Sequence, residues 1–134
     1  MRKLKVAIVE DSQIIRKRLV ELVEEIDDMV VVGEAATEST AIDMCRKTNP
    51  DAIILDMQLE VGNGLGVLKA MHYNVAEAGI KPTIIVLTNF PSPSVQRAAL
   101  ALGADVFLDK SREFHKVIAL LQSAVGGLQR EAFD

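Results

Sequence analysis

The residues best placed to do chemistry each follow a short apolar run: Glu10-Asp11, Asp56, Thr88 and Lys110. If those runs are strands of one sheet, these side chains meet at one of its ends. Three carboxylates and one ammonium would then leave two net negative charges in a small space. Two carboxylates ~4 Å apart at an effective dielectric of ~20 repel by about 4 kcal/mol, and one lysine offsets only part of this. A bound cation is the natural remedy. An all-oxygen donor set without His or Cys suits a hard divalent ion, and few carboxylates plus several waters is the habit of Mg²⁺. Each residue also has a plainer use. A lone Asp after a strand caps turns, Thr is a strand former, a single Lys is commonly solvated, and Glu10-Asp11 would suit the amino end of a helix. Their joint occurrence at successive strand ends favours chemistry over the plainer uses.

The elements that must position them are legible. Val6–Val9, Met29–Val32, Ala52–Leu55, Thr83–Leu87 and Val106–Leu108 are Val- and Ile-rich runs without polar alternation, as in strands buried on both faces. Between them lie segments of helical spacing. Ile15, Leu19, Leu22, Val23 and Ile26 share one face of the first, Val95, Ala98, Ala99 and Leu102 one face of the fourth, and Phe114, Val117, Ile118 and Leu121 one face of the fifth. Ser12 and the Ser92-Pro93 pair are helix-start signals, Gly79 and Gly103 suit helix ends, and Asn49-Pro50 stops the second helix. Alternating strands and helices predict an α/β fold, a (βα)5 doubly wound parallel sheet with right-handed crossovers. In such sheets ligands bind beyond the carboxyl ends of the strands, where strand order reverses. With the order 2-1-3-4-5, Glu10, Asp11 and Asp56 share a cleft, with Thr88 and Lys110 on its other side.

Composition bounds the rest. A chain of 134 residues is one domain, here 1–127, followed by a short tail at 128–134 past Gly126-Gly127. A net charge of −4 argues against nucleic acid or an anionic membrane as partner, and no apolar run reaches the ~20 residues of a membrane span. The single cysteine, Cys45, cannot form an internal disulfide, which fits a reducing cytoplasm of bacterial type. Cys45 shares a helical stripe with Ala41 and reads as packing. His72 and His115 lack metal-ligand spacing.

The sequence resembles the receiver domain of two-component response regulators, the CheY-like family, from about Lys5 to Val125. The resemblance rests on Val-Glu-Asp at 9–11, Ile-Ile-Leu-Asp at 53–56, Gly64-Leu65, Leu87-Thr88 and the run Gly103-Ala104-Asp105-Val106-Phe107-Leu108-Asp109-Lys110. It implies that Asp56 accepts a phosphoryl group from a phosphohistidine. It implies Mg²⁺ ligation by Asp11, Asp56 and the backbone carbonyl of Gln58, with Glu10 acting through water. Lys110 would pair with the acyl phosphate, Thr88 would hydrogen-bond a phosphoryl oxygen, and Phe107 would be the switching aromatic. Phosphorylation would re-shape the surface around the fourth helix, fifth strand and fifth helix, a population shift biased by a local charge. Gln58 and Phe90 flank the path of the hydrolytic water in the family, and a bulky Phe90 would slow dephosphorylation.

Three positions depart from the family pattern. Glu60 stands where a proline is common, which predicts a more mobile or acidic 58–63 loop. Ser111 replaces the proline usual after the lysine, and the switch aromatic is Phe rather than Tyr. The implied partners are a sensor histidine kinase or histidine phosphotransfer protein and a downstream effector protein, and phosphorylation-dependent homodimerisation stays open. The implied chemistry is self-catalysed phosphoryl acceptance with slow loss, not enzymatic turnover of a free substrate. The Met1 start and short tail suggest a stand-alone receiver. Two other readings are the amino-terminal part of a DNA-binding transcriptional regulator and an interaction module that is never phosphorylated. A dehalogenase-type phosphatase wants Asp-x-Asp after its first strand, where this chain has Glu-Asp-Ser. A flavodoxin-like cofactor binder would meet repulsion from Glu10-Asp11.

Overall fold

The computed structural model describes residues 3–78, 81–89 and 91–133. Its strands are β1 (Leu4–Val9), β2 (Met29–Ala35), β3 (Ala52–Leu55), β4 (Thr83–Thr88) and β5 (Val106–Asp109). Its helices are α1 (Gln13–Glu24), α2 (Glu38–Thr48), α3 (Gly64–Ala78), α4 (Pro93–Ala101), α5 (Lys110–Glu113) and α6 (Lys116–Phe133). The five strands form one parallel sheet in the order β2-β1-β3-β4-β5. This is the doubly wound architecture that the alternating pattern predicts, with β1 and β3 adjacent at the reversal point.

Two apolar layers sandwich the sheet. On one face Leu19 and Val23 of α1 and Val117 and Leu121 of α6 pack against Val6, Ile8, Ile54, Ile85 and Leu108. On the other, Ala41 and Cys45 of α2, Val67, Leu68 and Met71 of α3 and Ala99 of α4 cover Ala7, Val9, Ile53, Leu55 and Val86. Successive strand residues point to opposite faces, so β1, β3 and β4 need apolar residues at nearly every position, Lys5, Thr83 and Thr88 being the polar ones. Fully burying one such side chain contributes roughly 1.5–3 kcal/mol.

The helix boundaries follow their capping residues. Ser12 Oγ accepts the Ile15 N–H, Thr37 Oγ1 accepts the Thr40 N–H, and Ser92 Oγ accepts the Val95 N–H with Pro93 in the first turn. Asn49 closes α2 in the left-handed region at φ 47°, and Gly103 follows α4 at φ 103°. The expected helix end at Gly79 lies outside the described residues.

Three elements differ from the sequence expectation. β2 is an edge strand and only Met29 and Ala35 of it are buried, because α1 and α2 cover its faces incompletely. Its register against β1 skips Val32, with Val6 opposite Val31 and Ala7 opposite Gly33. The fifth helix is broken at Phe114-His115 into α5 and α6. The Asp109 side chain starts the short turn α5, and the break re-aims the chain so that Val117 and Leu121 face the sheet. Finally, the helical backbone continues through Gly126-Gly127 to Phe133, across most of the segment expected to be a tail.

Candidate functional site

Among the described residues, the buried side chains are apolar with four exceptions: Glu10, Asp56, Thr88 and Lys110. Each stands at or just beyond the carboxyl end of its strand, so parallel pairing sets their relative positions. Val9 pairs with Leu55, which brings Glu10 beside Asp56. The Asp56 N–H donates to Val9 O at 3.0 Å and the Glu10 N–H to Ala35 O at 2.9 Å, extending the ladder past the last strand residues. On the far side Thr88 pairs with Asp109, directly before Lys110.

Lys110 is the centre of the arrangement. Its Nζ donates to Glu10 Oε1 at 2.5 Å and to Asp56 Oδ2 at 2.8 Å. The second oxygen of each acid is also held. Asp56 Oδ1 accepts the Gln58 N–H at 3.0 Å, and Glu10 Oε2 accepts the Ser12 N–H at 2.9 Å. Both carboxylates are therefore oriented by two donors each. Asp11 is exposed at the mouth, and one carboxylate oxygen from each of Glu10, Asp11 and Asp56 lies within 4.8 Å of the others. That spacing and all-oxygen chemistry fit a hard divalent cation.

The electrostatics are those of a crowded acidic pocket. Burial pushes the Glu10 carboxyl up to about 7, against the lowering pull of the Lys110 ammonium and the Ser12 N–H. For Lys110, burial acts to lower the pKa, but the hydrogen bonds and charges of Asp56 and Glu10 outweigh it and raise it. Lys110 therefore stays charged. A cation at the mouth would relieve the repulsion that one ammonium cannot cancel. Cys45, by contrast, sits in the apolar layer with its thiol pushed up to about 12 by burial, which leaves it inert.

The loop after Asp56 is held by backbone hydrogen bonds. Gly64 N–H donates to Met57 O at 2.9 Å, and Gln58 bridges Asn63. A Cβ on Gly64 would lie 2.6 Å from Asp56 O, so only glycine lets α3 start this close to the pocket. Glu60 N–H donates to Ala36 O at 3.3 Å, a bond that proline could not make. The N–H gained with Glu60 fastens the loop to the segment before α2. Ser111 substitutes for proline in a comparable way. Its N–H and Oγ donate to Asp109 Oδ1 at 2.9 and 2.7 Å, which fixes the turn that begins at Lys110.

Phe107 is half-buried against the apolar layer beneath α4. Gln58 is exposed at the pocket rim, and Phe90 lies outside the described residues. His72 and His115 are exposed on separate segments. Sequence reasoning missed two supports. Arg16 donates from Nη1 to Glu10 O at 2.8 Å and pairs through Nε with Glu34 at 3.3 Å. Glu38 Oε1 accepts the Asn63 N–H at 3.0 Å. Neither is visible in a spacing rule, since each depends on how two elements dock.

Residues 6–122 match the family model described as the response regulator receiver domain. The chain belongs to this family. The receiver domain is 32% identical to a protein-glutamate methylesterase/protein-glutamine glutaminase of Pseudoalteromonas atlantica, over 95% of this chain and 34% of that protein. It is 28% identical to Protein CcdB of Bacillus subtilis, over 91% of this chain and 98% of that one. The signal receiver domain of the response regulator NarL from Mycobacterium tuberculosis superposes with a TM-score of 0.78 at 26% identity, covering 94% of this chain and 99% of that one. The receiver domain thus spans about a third of one relative and nearly all of another. Among the described residues no helix is long and apolar enough to cross a membrane.

Proposed function

We propose that this receiver domain is a phosphorylation switch in which Asp56 takes a phosphoryl group from a phosphohistidine on a partner kinase or phosphotransfer protein. The observation that carries this reading is the buried Lys110 ammonium shared between Glu10 and Asp56 at adjoining strand ends. The polar network is too costly to bury for stability alone, since charges this far from water lose several kcal/mol of hydration each.

In the transfer, an Asp56 carboxylate oxygen forms a bond to phosphorus as the phosphorus–nitrogen bond to the donor imidazole breaks. Phosphoryl transfer asks a protein mainly for positioning and charge neutralisation. Positioning comes from the two donors on Asp56, Lys110 and the Gln58 N–H. Neutralisation comes from Lys110, and Mg²⁺ held by Asp11, Asp56 and the Gln58 carbonyl would add positive charge beside the phosphoryl oxygens. Glu10 would hold water on that ion. Thr88, buried across the pocket, would turn its hydroxyl to a phosphoryl oxygen. The half-buried Phe107 would then pack more deeply, changing the surface of α4, β5 and α6 that an effector protein reads. The domain is no enzyme for a free substrate. It takes one phosphoryl group and slowly loses it to water.

Treatment with a small-molecule phosphodonor and Mg²⁺, followed by intact mass measurement, tests this. One phosphoryl adduct is expected on the wild type and none when a chelator replaces Mg²⁺. An unmodified wild type in the presence of Mg²⁺ would defeat the proposal.

A further inference from the structure

The stretch from the end of β2 to the start of α2 contacts both Glu10 and the loop after Asp56. At its start, Ala35 O accepts the Glu10 N–H at 2.9 Å. Further along, it holds the loop after Asp56 by three hydrogen bonds. Glu60 N–H donates to Ala36 O at 3.3 Å, Glu38 N–H to Val61 O at 2.9 Å, and Asn63 N–H to Glu38 Oε1 at 3.0 Å.

The Glu38 side chain is built into that loop rather than solvated beside it. It is half-buried, and a Cβ on either Gly62 or Gly66 would collide with it. Gly62 also adopts φ 85°, a backbone state that favours glycine, so the loop is shaped around this carboxylate. The same loop begins with Gln58, whose N–H orients Asp56 Oδ1 and whose residue bridges Asn63. The path from Glu38 to the pocket is therefore short: Glu38 to Asn63, Asn63 to Gln58, and Gln58 to Asp56.

We propose that Glu38 is a positioning residue for the divalent-cation site, fixing the 58–63 loop so that the Gln58 backbone stays aimed at the pocket. This rests on the reading that Asp11, Asp56 and the Gln58 carbonyl hold Mg²⁺. Glu38 touches neither the cation nor the phosphoryl group. It pre-pays the ordering of the loop, so that the cation need not select one loop conformation from many.

The test is Mg²⁺ titration by calorimetry of the full chain, with hydrogen exchange of the Glu60 and Asn63 amides measured on the metal-free protein. Glu38→Ala removes the acceptor and is expected to weaken Mg²⁺ binding about 3- to 10-fold, the range of one lost hydrogen bond, and to speed exchange at Asn63. Glu38→Gln keeps an Oε1 acceptor and is expected to restore both readouts to near wild type. If Glu38→Ala is folded and binds Mg²⁺ like the wild type, the positioning role is overturned and the site stands. If Glu38→Gln is as weak as Glu38→Ala, the effect is one of charge, and the positioning role is again overturned. If the wild type and Asp11→Asn both fail to bind Mg²⁺, the proposed site itself fails.

Discussion

Two lysine–aspartate pairs of nearly equal length do different work in this chain. Lys110 meets Asp56 at 2.8 Å with side chains 7% and 5% exposed, and Lys81 meets Asp105 at 2.7 Å with both 41% exposed. At the surface, water and salt screen the pair, and such contacts contribute ~0–1 kcal/mol. In the pocket, removing one partner leaves an uncompensated buried charge. The lesson is that contact distance says little about what an ion pair is for. Burial, and the crowding of like charges around it, separates a staple between the segment before β4 and the α4–β5 connection from the site proposed to take a cation and a phosphoryl group.

The largest effect expected from breaking this contrast is at Lys110. Lys110→Met strands Glu10 and Asp56 together and should destabilise the metal-free protein by about 3 kcal/mol in denaturant titrations, with Mg²⁺ recovering part of the loss. A change below ~1 kcal/mol would place the buried pair in the same class as the surface one.

A smaller effect concerns pH. Glu10 is raised from 4.5 to about 7 in the folded state, so the fold binds a proton there that the unfolded chain releases. Its contribution to stability is fully present below about 4.5 and is lost as pH rises through about 7. Thermal melts of metal-free protein should therefore show falling stability across that window, and Mg²⁺ should stabilise most above it. A metal-free midpoint that rises steadily through pH ~7 would contradict the assignment of this carboxyl.

The smallest effect belongs to the surface pair. Lys81→Met should cost under ~1 kcal/mol. Asp105→Ala should cost more than Lys81→Met, because Asp105 Oδ2 also accepts the Ile84 N–H at 2.7 Å. Equal losses for the two variants would assign the whole effect to the ion pair.

The difference between the two pairs was partly legible in the amino-acid sequence. Val6–Val9, Ala52–Leu55 and Thr83–Leu87 are apolar at nearly every position, which announces central strands, and the polar residue that ends each run marks the pocket. Strand order then brings Glu10, Asp56 and Lys110 together without knowledge of any side-chain contact. What spacing could not supply was contact between elements that meet only on docking. Glu38 reaches Asn63 across 25 positions, and Arg16 ties Glu10 to Glu34 from the side of α1. The break at Phe114-His115 was hidden because Phe114 keeps helical spacing with Val117, Ile118 and Leu121 of α6. At Glu60, the N–H that replaces a common proline makes a bond to Ala36 O that no spacing rule announces.

The central claim, that Asp56 is the phosphoryl acceptor, is tested most directly by chemical mapping. The protein would be phosphorylated with a small donor and Mg²⁺, reduced with borohydride, which converts an acyl phosphate of aspartate to homoserine, and sequenced by mass spectrometry. Homoserine in place of Asp56 alone is the predicted result. Conversion at Asp11 or Asp109, or an unreduced phosphoryl group on a serine or threonine, would contradict it.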